Sequence, residues 1–279
     1  LVLTYKVNVS YIPFESLSKN QNNKKGKMLY LIGIGLYDEK DISLRAIEIL
    51  KSADEIYVED YTNFYHGNLK NLSEITSRNI TILKRNDIES GEILYKDALL
   101  KNIALLVPGD PMIATTHSSI ILDAEKRRIK VKVIHSSSIY SAIAETGLMI
   151  YKFGRTTTIA FPYIDTIPSS PYKFFMENSE RNLHTLMLLD IDVEDNKFLS
   201  INQGLEILLK LEKDAKGNIM QKATFVCCAR LGSDDAIIKA INGADIEKIL
   251  NFDFGNPPHC IIAAANLHFI EEEMITRFY

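Results

Sequence analysis

An uninterrupted apolar run, Ile103-Ala-Leu-Leu-Val107, ends on Pro108-Gly-Asp-Pro111 and is followed closely by Thr115-Thr-His-Ser118. Five apolar residues bounded by turn formers predict a strand buried on both faces, which only a sheet covered on both sides can hold. Gly109 and Pro111 then force a sharp turn, and Thr115, Thr116 and Ser118 open the next helix. Asp110 is therefore expected at the carboxyl end of a central strand, the edge on which open α/β sheets bind ligands. An ordinary strand-to-helix turn with a capping aspartate fits the same residues.

The segments around this one alternate in kind. From Met28 the pattern predicts strand 29–34, helix 42–52, strand 56–59, a polar crossover, strand 80–83, a charged helix near 89–100, strand 103–107, helix 115–127 and strand 131–134. Strands alternating with helices imply a mostly parallel sheet under helices. Asp41 is expected to cap the first helix, with Leu44, Ile47 and Leu50 on its buried stripe. After His135 come a short helix 138–145, strand 157–161, a proline-rich linker to Pro171, helix 172–180, strand 185–190, helix 203–211, strand 223–229, helix 233–240, strand 246–252 and strand 260–265. Two patterned halves in 279 residues predict two α/β domains, 28–136 and 137–279, with the binding cleft between them. Residues 1–27 stand apart, because Ser18–Lys27 is polar and without periodicity, and they read as a flexible lead-in.

Charge and cysteine usage exclude several classes. With 32 basic and 36 acidic residues the net charge is −4, so no global positive field draws the chain to nucleic acid or an anionic membrane. Cys227, Cys228 and Cys260 have neither metal-ligand spacing nor the look of a disulfide framework, which fits a reducing compartment. No 18-residue apolar run and no secretory signal pattern occurs, so a soluble cytoplasmic protein is expected.

The remaining motifs each admit two readings. Ile32-Gly-Ile-Gly-Leu36 begins like a dinucleotide fingerprint but lacks the third glycine, leaving a tight turn that brings a ligand close to the backbone or a simple turn. His135-Ser-Ser-Ser-Ile-Tyr140 opens a helix whose hydroxyls and free N–H groups suit a carboxylate or ribose, though capping explains one serine. His259 stands at a strand end, as a satisfied structural group or a base. The six histidines have no HExxH or HxH spacing, and a metal site is not expected. Ser138, His184 or His259, and Asp190 could be assembled into a triad on paper, but no Gly-x-Ser-x-Gly elbow presents a nucleophile. Cys227 and Cys228 read as core residues running into an acidic turn, with Leu231 beside a ligand. The run Lys126–Lys130 reads as a solvated helix end or as a face toward an acidic or large protein substrate.

Taken in chain order, a series of short motifs goes beyond these separate readings. It comprises Met28-Leu-Tyr-Leu-Ile-Gly-Ile-Gly-Leu36, Glu59-x-Tyr61-Thr62, Gly109-Asp-Pro111 with Ala114-Thr-Thr-His-Ser118, and Val133-Ile-His135. It continues through Gly147-Leu148, Tyr151-Lys-Phe-Gly154, His184-Thr-Leu186, Leu188-Leu-Asp-Ile191, Ala229-Arg230 with Gly232 and Asp234-Asp235, and Pro258-His259. The series resembles the diphthine synthases, in particular their eukaryotic diphthine methyl ester synthase branch, within the tetrapyrrole-methylase-like class III of S-adenosylmethionine-dependent methyltransferases. It runs from Met28 to Phe278.

The resemblance implies a two-domain homodimer that binds S-adenosyl-L-methionine bent in the interdomain cleft and releases S-adenosyl-L-homocysteine. Carried over position by position, the cofactor contacts are Leu36, Asp110, Ile113, Ser138, Ile139, Leu189, Leu231 and His259. Ile113 stands where some relatives have glycine, so a backbone contact is expected there. Asp110 would orient the cofactor and His259 would contact adenosine. The implied substrate is a histidine of translation elongation factor 2 that already carries an aminocarboxypropyl group. Three methyls would go to the amine and a fourth to the carboxylate, with no metal and no designated general base, and with no nucleic acid or membrane as partner. The connections 62–80 and 190–200 are shorter than the eukaryotic branch implies, either because they are trimmed or because residues are missing. The alternatives are a related methyltransferase for a tetrapyrrole or other small molecule, a non-catalytic cofactor-binding partner of the translation factor and, third, a nicotinamide enzyme.

Overall fold

The computed structural model describes residues 27–59, 65–163, 166–192 and 195–279. The expected lead-in therefore lies outside the described residues apart from Lys27, as do Tyr61 and Thr62.

Five strands form the first sheet: β1 (Met28–Gly33), β2 (Glu55–Glu59), β3 (Ile80–Leu83), β4 (Ile103–Val107) and β5 (Lys130–Ile134), in the order β3-β2-β4-β1-β5. Every pairing is parallel. The apolar run of β4 is buried at all of its residues, because successive side chains alternate between two covered faces. Ile103, Leu105 and Val107 join Leu29 and Leu31 of β1 in a core closed by α4 (Glu92–Ala98) and α5 (Ser118–Lys126). Ala104 and Leu106 join Ile32 in the opposite core, under α1 (Leu44–Ser52) and α2 (Leu69–Thr76). From β1 the chain crosses past β4 to reach β2; from β4 it crosses past β1 to reach β5. The two crossovers part at the β4–β1 boundary, and a crevice opens there at the carboxyl ends of the strands.

The second sheet is mixed. Strands β6 (Thr157–Ile159), β7 (Thr185–Leu189), β10 (Thr224–Ala229), β11 (Ile237–Asn242) and β12 (His259–Ala264) run in the order β11-β10-β12-β7-β6, parallel only between β6 and β7. A short ribbon of β8 (Ile191–Asp192) and β9 (Lys197–Phe198) follows β7. One face packs on α7 (Ser170–Glu180) and α8 (Ile201–Ala215) through Phe175, Leu205, Leu208, Phe225 and Ile261. Ser200 and Gln203 cap α8 reciprocally, the serine oxygen accepting from Gln203 N and the amide oxygen from Ser200 N. The other face packs Val226, Cys228, Cys260 and Ile262 against Ile143, Leu148 and Ile275, the last on α9 (Phe269–Thr276).

Several local expectations are corrected. Ser43, not Asp41, caps α1, accepting from Ala46 N at 3.2 Å, while Asp41 Oδ2 accepts from Tyr37 N at 2.7 Å within the preceding turn. Leu44, as the first helical residue, is 80% exposed, and the buried line is Ala46, Leu50 and Ala53, spaced by four and three residues. The charged helix near 89–100 is two helices, α3 (Arg85–Ser90) and α4, separated by Gly91 in the left-handed conformation. Thr115 and Thr116 lie in the turn before α5, which starts at Ser118. The polar crossover contains α2, which buries only Leu72 and Thr76 and so shows little periodicity.

The largest errors fall between 233 and 252, where the expected helix is strand β11 and the expected strand is a 3-10 turn, Gly243–Lys248. Ile237 and Ile241 touch one core and Ile238 and Ala240 the other, and a strand covered on both faces loses the period-two signature. Helix α9 was not anticipated either; it is anchored by a buried carboxylate. Glu271 accepts from Met149 N, His184 Nε2, Lys152 Nζ and His268 N at 2.7–3.0 Å, and these donors hold its pKa down at about 2 in spite of burial, the largest influence, which acts the other way.

Candidate functional site

A cavity of about 290 Å³ lies between the two sheets. Leu36, Asp110, Ile113, Ser138 and Ile139 line it from the first half of the chain, and Leu189, Leu231 and His259 from the second. All eight nominated positions thus meet around one space.

The first wall is built by close backbone approach. Gly35 and Gly109 bridge antiparallel, each donating its N–H to the other's carbonyl, at 3.3 and 2.8 Å. A Cβ on Gly33 would stand 2.5 Å from the Gly109 carbonyl oxygen and 2.8 Å from Ser136 Cβ; one on Gly35 would stand 2.1 Å from Asp41 Cβ. Protein atoms therefore fill the space beside both glycines of the Gly-x-Gly pair, which favours the simple turn of the two readings. Gly109 differs. Its φ is +75°, nothing lies within 4 Å of where a Cβ would be, and it lines the cavity.

Asp110, 5% exposed, ties three segments together. Its Oδ1 accepts from Met112 N at 2.9 Å, closing an Asx turn. Its Oδ2 accepts from Ser136 N at 3.1 Å and from His135 Nδ1 at 2.9 Å, so the loops after β4 and β5 are joined. Ser138, also buried, begins the one-turn helix α6 (Ile139–Ala142). Its N–H is bound to Ser141 Oγ at 3.0 Å.

Beneath this wall lies a buried pair that sequence reasoning missed. His117 Nε2 is 2.7 Å from Glu59 Oε2, and His117 Nδ1 is 2.9 Å from the Pro111 carbonyl. Both side chains are fully buried. Burial opposes the charged imidazole, but the Glu59 carboxylate and the Pro111 carbonyl outweigh it and raise the pKa. A carbonyl only accepts, so Nδ1 donates, and the pair pins the Gly-Asp-Pro turn to the end of β2. No spacing rule connects residues so far apart; each stands in one of the resemblance motifs, and nothing in the sequence pairs them.

The second wall centres on Arg230, whose φ is +52°. Its buried guanidinium donates to Asp235 Oδ2 at 2.7 Å, to the Asp235 carbonyl at 3.0 Å, and to the carbonyls of Phe254 and Asn256. The turn leading into β12 is held by these bonds. His66 Nε2 reaches the Pro257 carbonyl at 2.9 Å while stacking on Tyr37, linking the two walls. His259 is the first residue of β12, and both of its ring nitrogens are buried without a hydrogen-bond partner. Burial first, and the Arg230 charge second, push its pKa down to about 4, against smaller opposition from backbone groups of Asn256, Phe254 and Gly255. It is a neutral imidazole, not the satisfied structural group that is usual at a strand end.

Thr115, Thr158, Asp190, Cys228 and Cys260 also line the cavity; of these, Asp190 had been weighed as a triad member. Its oxygens accept backbone N–H groups of Phe161 and Ile191, both at 3.1 Å, while His184 is bound to Glu271 and to Ala265 N. His259 Nδ1 and Nε2 have no hydrogen-bond partner, so the paper triad is assembled with neither histidine. Cys228 and Cys260 face each other across β10 and β12; the neighbouring Cys260 and burial raise the Cys228 thiol well above its ordinary value, which disfavours thiolate chemistry. Among the described residues no cluster of His, Cys, Asp or Glu could hold a metal ion, and no helix is long and apolar enough to cross a membrane.

The donor set can be tested against a ligand. A neutral imidazole with free nitrogens, set among Leu36, Ile139, Leu189 and Leu231, matches a flat heteroaromatic group with a hydrogen-bonding edge; leaving such a polar group unpaired costs about 1–3 kcal/mol. Open space at Gly109 admits a ligand against the backbone. Adenosine fits both features.

Residues 28–239 match the family model of tetrapyrrole (corrin/porphyrin) methylases. A diphthine synthase of Methanococcus aeolicus is 45% identical over 251 residues, spanning 89% of this chain and 96% of the relative. One of Methanocaldococcus jannaschii is 44% identical over 253 residues, spanning 89% and 97%. A crystal structure from Entamoeba histolytica, provisionally named a diphthine synthase, superposes with a TM-score of 0.82 at 37% identity, covering 91% of this chain and 98% of that one. With relatives this similar over nearly their whole length, the chain belongs to the tetrapyrrole methylase family and, within it, to the diphthine synthases.

Proposed function

We propose that this protein transfers methyl groups from S-adenosylmethionine to the aminocarboxypropyl-histidine of translation elongation factor 2. Three go to the amine and a fourth to the carboxylate, in the cytoplasm and as a homodimer. The observation that carries this reading is the convergence of eight positions, distant in sequence, on a single cavity with an unpaired neutral histidine. The names borne by the relatives support the substrate assignment.

Leu36, Asp110, Ile113, Ser138, Ile139, Leu189, Leu231 and His259 would hold the cofactor. Bound there, it supplies a methyl group already activated on a sulfonium, so the chemistry demands alignment rather than a metal. His259 offers a donor and an acceptor without carrying charge. Asp110 holds the loops after β4 and β5 in register, and the leucines and isoleucines exclude water.

The test is to mix the purified protein with isotopically labelled S-adenosylmethionine and elongation factor 2 bearing the unmethylated group, then read intact mass. Stepwise methyl gains are expected, and four steps identify the methyl ester. No gain alongside confirmed cofactor binding, with a competent control enzyme, overturns the reading; transfer to a free corrin precursor instead assigns a small-molecule methyltransferase.

A further inference from the structure

Resting on that reading, one requirement of the chemistry has no residue assigned to it. An alkylammonium has no lone pair, so each nitrogen methylation must be preceded by loss of a proton. Five of the six histidines are unsuited to receive it. His117 and His184 are fully buried with both nitrogens engaged. His66 is committed to Pro257 and Tyr37, and His268 caps α9 through Nδ1. His259, with its pKa pushed down to about 4, is too weak a base to retain a second proton near neutrality.

His135 is different. It directly follows β5, three residues before the cavity-lining Ser138, and its side chain is 71% exposed. Nδ1 lies 2.9 Å from Oδ2 of Asp110, which lines the cavity. Two backbone N–H groups already point at that carboxyl group, so it acts as an acceptor and Nδ1 carries the hydrogen. The lone pair of the neutral ring is then on Nε2, which makes no hydrogen bond among the described residues. Asp110 is the charged group in contact with the ring. A carboxylate behind an imidazole fixes its tautomer and stabilises the imidazolium that forms, the logic of an oriented base.

We propose that His135, oriented by Asp110, is the proton acceptor for the nitrogen methylations. An N–H bond of the substrate ammonium breaks with its electron pair remaining on nitrogen, the proton bonds to Nε2, directly or through one water, and the exposed ring passes it to solvent. The mono- and dimethylated ammonium ions are served in the same way. The trimethylated product has no N–H left, and a carboxylate already has lone pairs, so a fourth transfer to oxygen needs no base.

Time-resolved intact mass on H135Q and H135A, with elongation factor 2 bearing the unmethylated or the trimethylated group, separates the steps. Nitrogen methylation is expected to fall on the order of 100-fold near neutral pH, to recover as pH rises toward deprotonation of the free amine, and to be rescued in H135A by added imidazole. The oxygen step is expected to slow far less than the nitrogen steps, and S-adenosylhomocysteine affinity measured by calorimetry corrects both rates for any loosening of the Asp110 turn. Nitrogen-15 NMR of the ligand-free protein should show the Nδ1–H tautomer at His135. Equal slowing of the oxygen and nitrogen steps, absence of imidazole rescue, or the Nε2–H tautomer overturns the proposal. Nitrogen methylation at the unmodified rate in both variants overturns it alone, whereas no transfer by the unmodified enzyme overturns both it and the functional reading beneath it.

Discussion

Replacing His259 by phenylalanine should make the ligand-free protein more stable and the ligand-bound protein less so. The ring shape is retained while two buried nitrogens without partners are removed, a change worth about 1 kcal/mol in favour of the folded state. The histidine also carries a pH signature. Its pKa falls from 6.5 to about 4 on folding, so the unfolded chain takes up the proton first as the solution is acidified. Stability is therefore lost as pH drops from 6.5 toward 4, by at most about 3 kcal/mol for a shift of this size. Partial solvent access to the residue reduces this to about 1–2 kcal/mol. Urea unfolding of both proteins at pH 7, 5.5 and 4 should show the difference in their stabilities widening toward acid by that amount. Calorimetry at pH 7 should show S-adenosylhomocysteine binding weakened about 10-fold or more in H259F, equivalent to about 1.4 kcal/mol. Retained affinity together with an unchanged pH slope would refute the assignment of His259 as an unsatisfied, neutral ligand-binding group.

Gly33→Ala and Gly109→Ala should part company: the first drives a Cβ to 2.5 Å from a carbonyl oxygen and should yield little folded protein. The second meets open space and loses only about 1–2 kcal/mol for its left-handed backbone, yet it should abolish S-adenosylhomocysteine binding; soluble expression and calorimetry separate the two. Glu271→Gln should lower stability by about 3 kcal/mol in urea unfolding at neutral pH, because a buried carboxylate with four donors is removed from under α9. As the folded pKa of Glu271 is depressed from 4.5 to about 2, its contribution is full above 4.5 and disappears as pH falls through 2, so the two proteins should converge in strong acid. For His117 the sign is reversed: its folded pKa is raised, so the contribution is complete below the unfolded value of 6.5 and is lost as pH rises through the folded one. NMR titration of the ring should show protonation persisting above that of a free histidine, and Glu59→Gln should remove the excess.

Short-range patterns were legible where one physical requirement dominated. The apolar run of β4 and the Pro-Gly-Asp-Pro turn were readable because a doubly covered strand admits no polar residue and a reversal needs Gly and Pro. The eight cavity residues came from motif resemblance, and the structure supplies the reason they belong together: each stands at or just beyond a strand end that the topology brings to one crevice. Strand β11 was unreadable because its two faces meet two different cores, and Leu44 misled because the cap lies two residues later than expected, which leaves Leu44 as the first, exposed helical residue. The same apolar spacing serves either face until something selects one.

By itself the sequence determined the alternation of strands and helices in the first half, the turn that presents Asp110, and the set of positions at which a ligand would be sought. The tertiary structure alone decided that Glu59 raises the pKa of His117 and that Asp110 orients His135. It alone decided that Glu271 locks the last helix and that the ring nitrogens of His259 are left without a hydrogen-bond partner. These are pairings between groups that share no local segment. Propensity and periodicity act over a turn or a strand, whereas the charge state of a buried side chain depends on which distant atoms folding brings within about 3 Å.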